Sequence, residues 1–360
     1  MKVIHANTYR LVCYIALLIA IPFFYVTAFV DPYLHPKLLL LCLAEFGLIG
    51  YLIFQQYQKG TIGKSAIFSS AFVLCFGAFL LLEGITLAYT VNFQKGIFLL
   101  VIDLNLFLLI LLLWFAVKDV SRFFNQVAKI GTILTLLLWV HGLWQFYEVS
   151  QSFELSHQAT YQIKGTFGHR NLYGQLILLP LPFNFFTFIQ ERGLWRTFSA
   201  VNISLAVALI ITLLARSVWI ALVGATLLTL LVSLIANKGT IQNFKFGSVN
   251  FLKQYKLYPG FFLVVVTLAI WGYSRFGAIE TFEKQAESLF HFHYGSVENR
   301  LKLYEHSFNM FTNSPLKGIG VGSWNLEVLS FGPQGLESRD QVTFYQRPHN
   351  DLWFFTNSVV

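Results

Sequence analysis

Three residues in the second half of the chain have side chains that could do chemistry: Arg300 and Arg216, either of which could meet an anion, and His349, which could act on a hydroxyl. A guanidinium presents a planar fork of donors that matches phosphate oxygens, and a histidine near its ordinary pKa can take a proton from a hydroxyl. Spacing alone leaves a plainer reading standing, with Arg300 a solvated helix residue and His349 a cap on the next helix. Other patterns carry less chemistry. His291 and His293 form an H-x-H with no third ligand at a sensible spacing, so surface histidines are the default there. Gly318, Gly320 and Gly322 do not make G-x-G-x-x-G and no strand precedes them, so they read as a bendable turn that lets helices approach closely before Trp324.

The elements that must position these residues are dictated by composition. With 56% hydrophobic and only 12% charged residues, a chain of 360 residues has too little polar surface to cover a soluble globule. It reads as an integral membrane protein. A helix rising about 1.5 Å per residue needs about 20 apolar residues to cross a hydrocarbon core of about 30 Å. Such spans fall near Leu11–Val30, Leu38–Phe54, Ala66–Leu82, Ile97–Val117, Val127–Tyr147, Leu172–Ile189, Phe198–Leu214, Val218–Ile235 and Pro259–Ser274. The first run is longer than a signal-peptide core and no A-x-A site follows, which predicts a retained anchor. Cys13, Cys42 and Cys75 lie inside apolar runs without C-x-x-C spacing, so neither a disulfide framework nor a zinc site is indicated.

The interval from Phe198 to Ile235 is too long for one crossing: as a single helix it would reach about 57 Å, whereas a 40° tilt uses only about 39 Å of a 30 Å core. It must break, and Arg216 marks the place, because a guanidinium at mid-bilayer would cost about 2.5–3.5 kcal/mol. With the N-terminus inside, Lys59, Lys64, Lys118, Arg122, Arg192 and Arg196 fall on inner connections, as do Lys238, Lys245, Lys253 and Lys256. Few bases fall on the outer ones, apart from Lys37, Lys95, Lys164, Arg170 and Arg216. The net charge of +8 is therefore mainly a topology signal and not a nucleic-acid footprint. Glu45, Glu83, Asp103, His141, Arg170 and Arg216 then lie toward the outer side, as a polar cavity open to the outer leaflet would require; pairing or snorkelling of each one is the plainer account.

The longest polar interval, about 275 to 350, lies outside the cytoplasm in this topology. Within it Leu301, Tyr304, Phe308 and Phe311 recur at helical spacing, with Lys302, Glu305, His306 and Asn309 on other faces, and Asn313-Ser-Pro315 ends the pattern. The domain reading is a transmembrane domain over 1–274, a loop segment over 275–349, and the start of an incomplete further helix over 350–360.

Four stretches together resemble the O-antigen ligase and polymerase superfamily: GTFGHRNLYGQLILLPL from Gly165, LLARSVWIALVGA from Leu213, NRLKLYEHSFNMFTNSPLKGIGVGSW from Asn299, and RPHND from Arg347. The resemblance implies an all-α integral membrane protein of about nine complete transmembrane helices plus a truncated tenth, with one large periplasmic loop containing amphipathic helices. It implies a glycosyltransferase of the bacterial inner membrane that moves a glycan from an undecaprenyl-diphosphate carrier to an acceptor hydroxyl at the periplasmic face. The acceptor would be lipid A-core in a ligase, a growing glycan in a polymerase, or a protein in some relatives. By motif position Arg216, Arg300 and His349 are the implied catalytic residues, and Arg170, Asn171 and Asn350 would contact substrate. No metal, cofactor or nucleic acid is implied; the expected partners are the lipid-linked glycan, the acceptor and membrane lipid.

One departure stands out: the family continues past the histidine with at least one more span, whereas this chain stops at Val360, so a fragment or a truncated product is expected. A transporter or flippase is the rival from another class, since charged residues within spans suit it too. It would want two similar halves with paired broken helices, and no such symmetry is evident.

Overall fold

The computed structural model describes residues 16–59, 66–117, 119–152, 159–236, 260–267, 296–315 and 317–331, and every regular element within them is helical. The principal helices are α1 (His35–Lys59), α2 (Ala71–Thr86), α3 (Phe93–Ala116), α4 (Val120–Ser152), α5 (Arg170–Leu178), α6 (Leu181–Gln190), α7 (Leu194–Thr212), α8 (Arg216–Ala236), α9 (Ser296–Asn313) and α10 (Trp324–Glu327). Among the described residues five helical stretches are long and apolar enough to cross a membrane: His35–Tyr57, Phe93–Ala116, Val120–Gln151, Arg170–Gln190 and Leu194–Thr212. Ala71–Thr86 and Arg216–Thr229 are apolar but shorter. Phe46 and Leu81 are 71% and 72% exposed, an arrangement that water would penalise and lipid does not.

The structure moves several expected boundaries. The first apolar run was expected to be helical as far as Val30, but its described helix ends at Phe23, and Phe24 is extended at ψ 117°. Beyond the helix end Lys37 Nζ donates to the carbonyls of Phe24 and Tyr33 at 3.0 Å each, giving a partner at Phe24 to an acceptor that the helix leaves open. The third run begins with a 3-10 turn, Ala66–Ser69, before α2. The sixth run is interrupted between α5 and α6, where Pro180 precedes the first residue of α6 and Pro182 is its second residue, positions a helix start tolerates. Of the ninth, residues 260–267 are described and helical.

The expected break in the Phe198–Ile235 interval is present. Helix α7 stops at Thr212, Leu214 takes a left-handed backbone at φ 52°, and α8 starts at Arg216. Trp219 Nε1 donates to the Ile210 carbonyl at 3.0 Å. Nine residues along a straight helix are about 13.5 Å apart, so the chain bends sharply here.

The described residues group into two compact units. One holds those up to 40 and from 119 to 267, with α4, α6 and α7 packed around a core of residues such as Leu138, Tyr173, Ile177, Leu209 and Val218. Buried amides fasten these three helices: Asn202 accepts from Trp139 Nε1 at 2.9 Å and donates to the Thr132 carbonyl at 3.0 Å, and Asn184 donates to Thr135 Oγ1 at 2.7 Å. Such bonds hold apolar helices in register where burial of apolar surface gives no driving force.

The other unit holds residues 41–117 and 296–331. Its loop core is Leu303, Met310, Trp324 and Val328, with Leu99 packed against it. Here the expected apolar stripe of α9 needs correction. Leu301 and Phe308 are 54% and 51% exposed, and the buried face runs through Leu303, Ser307 and Met310. The packed face is turned by roughly 110° because a polar residue, Ser307, lies at its centre.

Candidate functional site

In the first unit residues 165–167, shortly before α5, are tightly held. Lys37 Nζ donates to the Thr166 carbonyl at 2.7 Å as well as to Phe24 and Tyr33, and lies 4.6 Å from the centre of the Phe167 ring. Thr166 Oγ1 donates to the Pro22 carbonyl at 2.5 Å, and the Gly165 amide donates to Gln145 Oε1 at 2.9 Å. Gly165 has φ 57°, and a Cβ there would fall 2.4 Å from the Tyr173 ring, so no other residue fits.

This stretch delivers His169 as the cap of α5. Its Nδ1 accepts from the Asn171 amide at 3.1 Å, satisfying one of the donors that a helix start leaves open. Arg170, the first residue of α5, is only 4% exposed, and its guanidinium carbon sits 3.7 Å from the centre of the Tyr161 ring. Stacking on the ring fixes the plane of the fork. Asn171 follows, half-buried.

Arg216 is the first residue of α8 and is half-buried. Helices α5 and α8 touch near their starts: a Cβ on Gly174 would lie 3.0 Å from Val218 Cγ2. Arg170, Asn171 and Arg216 therefore belong to two adjoining helix N-termini at one end of this unit. Each N-terminus contributes about half a positive charge on top of the guanidinium it bears, which makes this end suited to an anion.

Arg300 belongs to the second unit. It is half-buried on α9, one turn before Leu303 and Tyr304 and thus on the packed side of the helix. Trp324, fully buried, donates Nε1 to Ser307 Oγ at 3.1 Å, and Ser307 in turn donates to the Leu303 carbonyl at 2.8 Å. His349 and Asn350, with His291, His293 and Arg347, lie outside the described residues. Glu45 and Glu83 are buried in the second unit with Asp103 in electrostatic range of Glu83, while His141 meets the rings of Phe23, Trp144 and Tyr173 in the first. Among the described residues no cluster of three or more His, Cys, Asp or Glu side chains is arranged to hold a metal ion.

Several positions were not legible as site residues from types alone. Tyr161 and His169 shape the surroundings of Arg170, and Lys37 ties down its approach. A lysine on a short outer connection was visible as a charge, but nothing in one sequence pairs it with carbonyls 13 and 129 residues away.

Residues 201–354 match the sequence model of a family described as O-antigen ligase. That range contains Arg216, Arg300, His349 and Asn350, and it leaves Arg170 and Asn171 just upstream. None of the curated proteins and none of the solved structures matches the chain. Over residues 201–354 the chain is therefore similar to the O-antigen ligase family.

Proposed function

We propose that this protein is an O-antigen ligase, transferring a glycan from undecaprenyl diphosphate to a hydroxyl of lipid A-core at the periplasmic face of the bacterial inner membrane. The observation that carries the reading is that the family match encloses Arg216, and that the helix Arg216 begins touches, at Val218, the helix Arg170 begins, at Gly174. A diphosphate leaving group develops charge as the glycosidic bond breaks, and guanidiniums held in place stabilise that charge without reorganising.

In this mechanism Arg170, Asn171 and Arg216 hold the diphosphate, and Arg300 adds a further fork to it. His349 takes the proton from the acceptor hydroxyl as its oxygen attacks the anomeric carbon, with Asn350 beside it orienting the acceptor. The C–O bond to the diphosphate breaks on the opposite face, so the anomeric centre inverts. The leaving group is already a good one, and no metal is needed to activate it.

Two same-side contacts agree with the count of spans on which this reading rests; the outward side itself rests on the distribution of bases. Lys37 bonds to Thr166, and the 317–323 turn bonds to the hairpin between α2 and α3, so an even number of crossings must separate the members of each pair. The expected spans meet both conditions.

The test uses membranes carrying the full chain, given fluorescent glycan on undecaprenyl diphosphate together with lipid A-core. Labelled glycan should appear on lipid A-core, and Arg300→Ala or His349→Ala should abolish transfer while insertion stays normal. Lengthened carrier-linked chains in place of that product would mean a polymerase, and movement of the carrier without bond formation a flippase. Unchanged transfer in both variants would sink the assignment of the site.

A further inference from the structure

The glycine turn between α9 and α10 is latched onto the hairpin between α2 and α3 by a closed chain of hydroxyls. Thr90 Oγ1 donates to the Val321 carbonyl at 2.6 Å, and Ser323 Oγ lies 2.6 Å from the same Thr90 oxygen while accepting from the Val91 amide at 3.0 Å. A hydroxyl has one proton, so with the Thr90 proton engaged it is Ser323 that donates to Thr90. The Val321 amide donates to Thr86 Oγ1 at 3.2 Å, and the Tyr89 hydroxyl donates to the Lys317 carbonyl. Burial raises the Tyr89 phenol above its ordinary pKa, which keeps it a donor.

Glycines make this approach possible. Gly320 and Gly322 have φ of 84° and 81°, and Cβ atoms there would come within 2.8 Å of Thr90 Cα and 2.6 Å of the Gly96 nitrogen. Immediately after the latch, Trp324 is buried and bonded to Ser307, which lies on the packed face of α9 two turns after Arg300. A continuous path therefore runs from the hairpin through Ser323, Trp324 and Ser307 to the helix that carries Arg300.

We propose that the hairpin 86–96 sets the rotation of α9, and that Thr90 is thereby a positioning residue for Arg300. The inference rests on the reading of Arg300 as a diphosphate clamp. It extends the working machinery to residues upstream of the 201–354 family match. A hydroxyl chain of this kind is cooperative, so removing its middle member releases both of its neighbours.

The experiment is a double-mutant cycle in membranes carrying the full chain, with fluorescent undecaprenyl-diphosphate glycan and lipid A-core as probes. Thr90→Val keeps the shape and removes the hydroxyl; it should lower kcat by about 10- to 100-fold, the cost of misplacing a fixed charge, with little change in KM for lipid A-core. Thr90→Ser should restore the rate. In an Arg300→Lys background Thr90→Val should cost less than about twofold, since the fork it positions is gone. Equal losses in the two backgrounds would show a merely structural contact and overturn the inference, as would full activity of Thr90→Val. If Thr90→Val does not insert, Trp324→Phe cuts the same path beyond the intact hairpin and must show the same coupling to Arg300. Full activity of Arg300→Ala would instead overturn the clamp reading, and this inference with it.

Discussion

The two units secure their arginines by different means. In the first, Arg170 and Arg216 begin helices packed into the bundle core, and Arg170 is walled in by Tyr161. In the second, Arg300 rides on a helix packed through Leu303 and Met310 onto Trp324, and the turn before Trp324 is held by a few polar contacts between residues 231 to 235 positions apart. A site fixed by burial tolerates the loss of one hydrogen bond. A site that also depends on a latch is more sensitive, because the hydroxyl at the middle of the latch engages two neighbours at once.

The comparison can be broken most directly at the arginines. Arg216→Ala should lower glycan transfer by roughly 10²–10³-fold, a far larger effect than any it has on thermal unfolding in detergent, because it removes charge stabilisation at the reacting centre. Loss of fold together with activity would mean that the first unit depends on Arg216 for its structure. Gly322→Ala comes next: the clash with Gly96 backbone and the positive φ should cost about 2–4 kcal/mol, confined to the second unit. Proteolysis should then open the 296–331 region first, with the 159–236 region still protected.

Lys37→Met leaves three carbonyls without their cation and should cost about 1.5–3 kcal/mol in the first unit, read by thermal unfolding. Its effect on transfer should appear as weaker donor binding, since it loosens the approach to Arg170. Trp139→Phe, which deletes the donor to Asn202, should cost only about 0.6 kcal/mol, the usual worth of a bond between membrane helices. Smallest is Lys129→Gln: its 2.8 Å ion pair with Glu191 is partly exposed on both sides, so stability should change by less than about 0.5 kcal/mol.

Much of the architecture was readable from amino-acid types because the bilayer imposes one length and one polarity. The break between α7 and α8 followed from arithmetic alone, and the structure puts it at Leu213 to Ala215, directly before Arg216. The face of α9 was misread for a specific reason. Tyr304 and Phe311 border both candidate faces, and Ser307 counts as polar until Trp324 is known to bond to it. Likewise, the hydroxyls of Thr86, Thr90 and Ser323 are unremarkable in sequence. Their meaning lies in a pairing across more than two hundred residues, which periodicity does not encode. The first run was read too long because hydropathy marks apolar residues and not the point at which a helix stops, here Phe23.

The separation of the latch partners has a consequence for biogenesis. Thr90 and Val321 are 231 positions apart, so at about 5–20 residues per second the hairpin waits roughly 10–50 s for the turn it will hold. The α2–α3 hairpin is thus a docking platform made early, and Arg300 can enter its final orientation only when nearly the whole described chain has left the ribosome. Competence for chemistry arrives as a late event of synthesis, and a nascent chain interrupted before Gly318 carries the first unit's arginines but has no means of setting Arg300.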